Sequence, residues 1–190
     1  LDVDPGKDTN RTVVTFIGTP DNVIEAAFNG IKKASELIDM RNHKGEHPRM
    51  GATDVCPLIP VSNVSMLECV KLSKKLASKV SENLNIPTFL YEESASTKER
   101  KNLANIRKGE YEGMQDKLLN KKWTPDYGKS ILNKKSGVTA IGARNYLIAY
   151  NININSIDKK IASDIALDIR ELGRARRDKE GKIIRFSDGS

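Results

Sequence analysis

Apolar and polar positions alternate along this chain in two rhythms, one strand-like and one helical. Residues 12–18 (TVVTFIG) are β-branched and aromatic and predict a strand. The opening LDVD predicts the end of another, joined to it by the turn PGKDTN. Thr19 and Pro20 predict a helix start, with Val23, Ala27, Ile31, Ala34 and Ile38 on one face. A polar loop follows over 41–51, then a strand over 53–61 whose prolines at 57 and 60 place it at a sheet edge. Ser65 and Glu68 form a capping-box signature for a helix to about Leu84, with Val70, Leu76, Ala77, Val80 and Leu84 inward. TFLY at 88–91 predicts a strand. The Lys- and Glu-rich stretch 97–120, with only Leu103, Ile106, Leu118 and Leu119 to bury, predicts surface helices. A long loop spans 121–137. Strands are predicted over 138–142 and 145–153, then a helix from Ser156 to about Leu172 with Ile161, Ile165, Ile169 and Leu172 inward. The last residues predict a charged loop and a short strand. Strands alternating with helices define a layered α/β sandwich.

The 190 residues suffice for one compact domain, or one and part of another. No run of about 18 apolar residues occurs, which excludes a membrane-spanning helix. Cys56 and Cys69 are the only cysteines, too few for a disulfide scaffold, and both read as small buried apolar residues. The acidic, turn-forming N-terminus has no secretory core, so a cytoplasmic location is expected. The net charge of +7 is concentrated in residues 61–150, which hold 16 basic and 9 acidic side chains. Aromatics at 5% are too sparse to interleave such a face as nucleic-acid binding favours, and an anionic small molecule suits it at least as well.

Candidate chemistry centres on the only two histidines, His43 and His47, in one Gly/Pro loop beside Glu46, Arg49 and Asp54. HKGEH matches the H-x-x-E-H zinc-peptidase pattern, whose imidazoles must share a helical face. Gly45 and Pro48 oppose a helix there, which leaves zinc as the second reading. The turn after Asp4 adds Asp8, Asn10 and Arg11, either as turn caps or as working groups. No dinucleotide fingerprint, phosphate loop or nucleophile elbow is present in the sequence.

Three blocks, LDVDPGKDTNRTVVTFIG, LIDMRNHKGEHPRMGATDVCPLIPV and GARNYLIAYNIN, resemble the glutamate formimidoyltransferase (formiminotransferase) family over nearly the whole chain. The resemblance implies a ferredoxin-like β-α-β layered subdomain at 1–143 and the beginning of a similar one at 144–190. It also implies a strand and helix before LDVD and most of a second subdomain after residue 190. The implied reaction moves the formimino group of N-formimino-L-glutamate to N5 of tetrahydrofolate, a co-substrate, without a metal. Formyl transfer between 5-formyltetrahydrofolate and glutamate would use the same geometry.

The family's catalytic histidine falls on His47 and an active-site carboxylate on Asp4. Its folate-binding loop falls on Gly128, Lys129, Ser130, Ile131, Leu132, Asn133, Lys134, Lys135, Ser136 and Gly137. His43, Lys44 and Arg49 either meet substrate carboxylates or, each on its own, stabilise the loop. Trp123 and Tyr127 either flank the pterin or pack in the core. A homodimer is the family's assembly. The readings left beside this one are a zinc metallopeptidase and a basic α/β module binding RNA.

Overall fold

A computed structural model describes residues 1–148, 152 and 154–169. The chain divides into two compact units, Leu1–Tyr146 and Leu147–Ser190.

The first unit opens with a two-stranded antiparallel hairpin, β1 (Asp2–Gly6) and β2 (Arg11–Thr15), in which Asp4 faces Val13 and Gly6 faces Arg11. Cross-strand partners share a face and so do alternate residues, so Asp4 and Arg11 lie on one side of the hairpin. Helix α1 (Pro20–Leu37) buries Ile24, Ala27 and Ile31. Thr19 occupies the expected N-cap position, yet its side chain makes no capping bond; its carbonyl accepts from Val23 N at 2.9 Å instead.

Three strands form a parallel sheet in the order β3 (Val55–Leu58), β5 (Thr139–Ala143), β4 (Thr88–Glu92). The proline-bearing β3 is an edge, as its composition predicts, since Pro57 has no N–H for a second neighbour. Strand alternation divides the core in two. Ile141, Ala143, Leu90 and Leu58 point to one face, where helix α2 (Met66–Leu84) packs with Leu76, Ala77 and Val80 and carries α1 on its outer side. Helix α2 starts at the capping box that the sequence shows: Ser65 Oγ accepts from Glu68 N at 3.2 Å, and Glu68 Oε2 accepts from Ser65 N at 2.8 Å. Cys69 is buried in this core, and Cys56 packs against it, where burial pushes the Cys56 thiol up to about 12.

Ala140, Val138, Phe89 and Tyr91 point the other way, against α3 (Leu103–Arg107) and α4 (Glu110–Leu119). This corrects the expectation of surface helices over 97–120, because Ile106, Met114 and Leu118 are fully buried while Leu119 is exposed. Few apolar residues occur there, but they fall on one side of two short helices. Arg100 is also buried, bonded to Asp126 at 2.7 Å and to Thr124 O at 2.6 Å, with its guanidinium 5.2 Å from the Phe89 ring centre.

In the second unit the described helix is α5 (Lys159–Ile169). Ile161, Ile165 and Ile169 are exposed rather than inward. Of the strand expected over 145–153, residues 145–148 are irregular and exposed. Residues 149–151 and 153, Leu172 and the terminal strand lie outside the described residues. Among those described, no helix is long and apolar enough to cross a membrane.

Candidate active site

The site is built from loops sewn together through backbone. The hairpin tip folds over the histidine loop: Asn10 Nδ2 donates to Lys44 O at 2.7 Å, Glu46 N to Asp8 O at 3.1 Å, and the His43 ring contacts Asn10 O at 2.9 Å. Gly45 is required at that crossing, since a Cβ there would stand 2.2 Å from Thr9 O. The same loop meets the 128–137 segment at a bridge between Gly51 and Gly137. Val138 N donates to Met50 O at 3.0 Å, Ala52 N to Ser136 O at 2.9 Å and Met40 N to Lys135 O at 2.8 Å.

His47 lines a cleft of about 380 Å³ with Pro48, Ala104, Arg107, Lys108 and Glu110. Its Nδ1 lies 2.6 Å from Pro48 O, and Nη1 of Arg11 lies 2.7 Å from Nε2 and 3.0 Å from Nδ1. Arg11 is half-buried; desolvation pushes its guanidinium below the ordinary value, against the pull of Asp54. A second hollow of about 490 Å³, lined by Lys44, Gly45, Arg49, Glu110 and Glu112, shares Glu110 with the first. Glu110 holds a left-handed backbone (φ +52°), uncommon outside glycine and a local strain of about 1–3 kcal/mol.

The structure gathers some sequence-predicted residues and assigns others to scaffolding. Asp4 lies exposed on β1, on the hairpin side that carries Arg11. Arg49 is occupied: Nη1 donates to Glu110 at 3.0 Å and Nη2 to Glu112 at 2.6 Å. That bonding holds the Glu112 carboxyl down at about 2. Lys44 and Lys108 line the hollows without a salt bridge among the described residues. In the 128–137 loop, Lys129, Ile131 and Lys134 are exposed, whereas Lys135 Nζ donates to Glu36 O in the last turn of α1 at 2.6 Å. Asn133 Oδ1 accepts from Ser136 N at 3.0 Å and from Lys135 N at 3.2 Å. Leu132 packs against the second core, as does Trp123, which meets Phe89 edge-on at 6.3 Å; Tyr127 packs against the first.

HKGEH lies in non-helical chain, so its two imidazoles do not share a helical turn, and both rings are hydrogen-bonded within the loops. Among the described residues no three His, Cys, Asp or Glu side chains converge as a metal site would require. Sequence reasoning missed Arg107, Lys108, Glu110 and Glu112. Their only signal was a charge-rich stretch after Ile106, interrupted by Gly109 and Tyr111, which has the look of solvated surface.

Taken together, these features define an α/β domain that presents one hydrogen-bonded imidazole and flanking cations, an arrangement suited to moving protons beside an anionic small molecule. Comparison makes that class specific. Residues 1–144 match the formiminotransferase domain, N-terminal subdomain, and the chain belongs to that family. A formimidoyltransferase-cyclodeaminase of Dictyostelium discoideum is 51% identical over 189 residues, covering 100% of this chain and 35% of that protein. A glutamate formimidoyltransferase of Streptococcus pyogenes serotype M1 is 49% identical over 173 residues, covering 91% of this chain and 58% of that one. Another, from Thermoplasma acidophilum, is 44% identical over 172 residues, covering 90% and 56%. The chain thus spans about a third to somewhat over half of the relatives' lengths.

Proposed function

We propose that this chain carries the proton-transfer residues of a glutamate formimidoyltransferase. The reaction moves the formimino group of N-formimino-L-glutamate to N5 of tetrahydrofolate and releases 5-formiminotetrahydrofolate and glutamate. The observation that carries the reading is His47, hydrogen-bonded at a cleft that also holds Arg107 and Lys108, in a chain of this family.

The N5 amine attacks the amidine carbon and forms a tetrahedral centre. The bond to the glutamate nitrogen then breaks; N5 loses a proton and the departing nitrogen gains one. His47 delivers the proton to that nitrogen, and Asp4 orients N5 or takes its proton. Lys44 and Lys108, in no salt bridge among the described residues, suit the carboxylates of both substrates better than the engaged Arg49 does. The segment from Gly128 to Gly137 contacts the folate through Lys129, Ile131 and Lys134, while Asn133, Lys135 and Ser136 hold its shape. The reading extends to a ferredoxin-like first subdomain at 1–143, the opening of a second at 144–190, a homodimer and a cytoplasmic setting.

The test is His47→Ala in the full-length protein. Turnover should fall by about 10²–10⁴-fold while tetrahydrofolate affinity, read by calorimetry, stays within a few-fold. Undiminished turnover refutes the assignment.

A further inference from the structure

The carbonyls that end a helix have no partner inside it, and α3 is only five residues long. Its last turn is satisfied from another helix. Lys117, in the last turn of α4, reaches back across the junction between the two. Its Nζ donates to Asn105 O at 2.6 Å, to Ile106 O at 2.7 Å and to Lys108 O at 3.1 Å. An ammonium carries three N–H groups, so all of them are used on one short stretch of backbone. The same Nζ lies 4.1 Å from the centre of the Trp123 ring, whose π face attracts a cation. Lys117 is half-buried, and carbonyl oxygens and an indole meet its charge.

The stretch held in this way lines the His47 cleft through Ala104, Arg107, Lys108 and Gly109. On the cleft side Arg107 Nη2 donates to Asp54 Oδ2, and behind it Lys117 fixes the carbonyls of residues 105, 106 and 108. Lys108 has already left the helix (φ −53°, ψ 123°), and Gly109 follows at φ +93°. With its own carbonyl anchored, the exposed Lys108 side chain leaves a fixed backbone at the cleft.

We propose that Lys117 is a positioning residue that, by gripping the carbonyls of Asn105, Ile106 and Lys108, sets Lys108 at the His47 cleft to receive the α-carboxylate of formiminoglutamate. The choice of substrate rests on the transferase reading. There His47 delivers its proton to the glutamate nitrogen, and a single carbon separates that nitrogen from the α-carboxylate. A cation lining the same cleft is within reach of it. The carboxylates of tetrahydrofolate, by contrast, lie at the far end of a long tail from N5.

Lys117→Met keeps the side-chain stem and removes the three donors. In the full-length enzyme it should raise the KM for formiminoglutamate by about 3–30-fold, with kcat and the KM for tetrahydrofolate each within about threefold. Lys108→Met should raise the same KM directly. Because Lys117 acts through Lys108, adding Lys117→Met to Lys108→Met should change that KM by less than about twofold. A purely structural lysine would raise both KM values or multiply onto Lys108→Met, and either result overturns the proposal. So does an unaltered formiminoglutamate KM in a folded Lys117→Met enzyme or in Lys108→Met. Should the methionine variant unfold, Lys117→Gln, with two N–H groups and no charge, is put through the same comparison.

Trp123 is the only tryptophan of this chain, so its emission reads the contact itself. Lys117→Met should shift that emission, and a spectrum unchanged in wavelength and intensity overturns the geometry. Full turnover in His47→Ala refutes the transferase reading and leaves the Trp123 result standing.

Discussion

The joint between the histidine loop and the 128–137 segment can be tested at one atom. Gly137 has φ +70°, and a Cβ on it would stand 2.2 Å from Met50 O and 2.7 Å from Gly51 Cα. Both neighbours are backbone, so neither can rotate aside. In Gly137→Ala the left-handed conformation costs about 1–2 kcal/mol. Separating the two segments would break Val138 N→Met50 O and Ala52 N→Ser136 O, at about 0.5–1.5 kcal/mol each. A stiffer unfolded chain returns about 0.4–1 kcal/mol. The net loss is about 1–4.6 kcal/mol, a large part of the ~5–15 kcal/mol typical of a domain.

Gly113 is the control. It lies inside α4, and a Cβ added to it would meet nothing within 4 Å, so Gly113→Ala should gain about 0.5–1 kcal/mol. Urea unfolding followed through the single tryptophan, Trp123, reads both variants, and amide exchange at Ala52 and Val138 should quicken only in Gly137→Ala. A Gly137→Ala chain within about 0.5 kcal/mol of the parent refutes the close approach. So would two variants that shift in the same direction.

Two further outcomes are expected. Leu118→Ala should cost about 2–5 kcal/mol and Leu119→Ala less than about 0.5, because the first fills the second core and the second faces solvent; equal losses in urea unfolding would return 97–120 to the surface. Arg49 holds Glu112 at about 2, below its ordinary 4.5, so the pair's stabilisation is complete above about pH 4.5 and is lost as pH falls toward 2. Because Glu112 is largely exposed, the effect is below about 1 kcal/mol; Glu112→Gln should flatten the stability profile across that window, and parallel profiles would contradict the assignment.

Local patterns carried most of the elements. The capping box at Ser65 and Glu68 marked the start of α2, the prolines of β3 marked an edge, and β-branched residues marked the hairpin. Each of these acts within a few residues, where chain connectivity alone brings the partners together. The contacts that shape the site act across much longer separations. Asp54 and Arg107 are 53 residues apart, and Arg49 and Glu112 are 63 apart. Nothing in a charge-rich stretch such as 107–112 distinguishes a solvated face from one folded onto a distant loop. The second core was misjudged for a related reason. Ile106 lies in a short helix with little periodicity, and Met114 gained its place only when α4 turned its side toward Phe89 and Val138. The glycines at 51 and 137 did carry a signal, but its meaning depends on which other backbone comes close.

Those long-range contacts explain how a site made of loops can be exact enough for the proposed transfer chemistry. Moving a group between two nitrogens depends on holding reactants and proton donor in a fixed relation, and a loop ordinarily holds side chains loosely. Here the histidine loop is bonded to the hairpin tip through Asn10 and Asp8, and to the 128–137 segment through Met50 and Ala52. Its guanidinium partners are fixed by Asp54, one residue before the parallel sheet begins. Loosening any one of these joints should therefore reach His47 through Arg11 or through the backbone of residues 48–54. The residues to examine for lost turnover are accordingly Gly45, Gly51, Asp54 and Gly137, together with the groups that meet substrate.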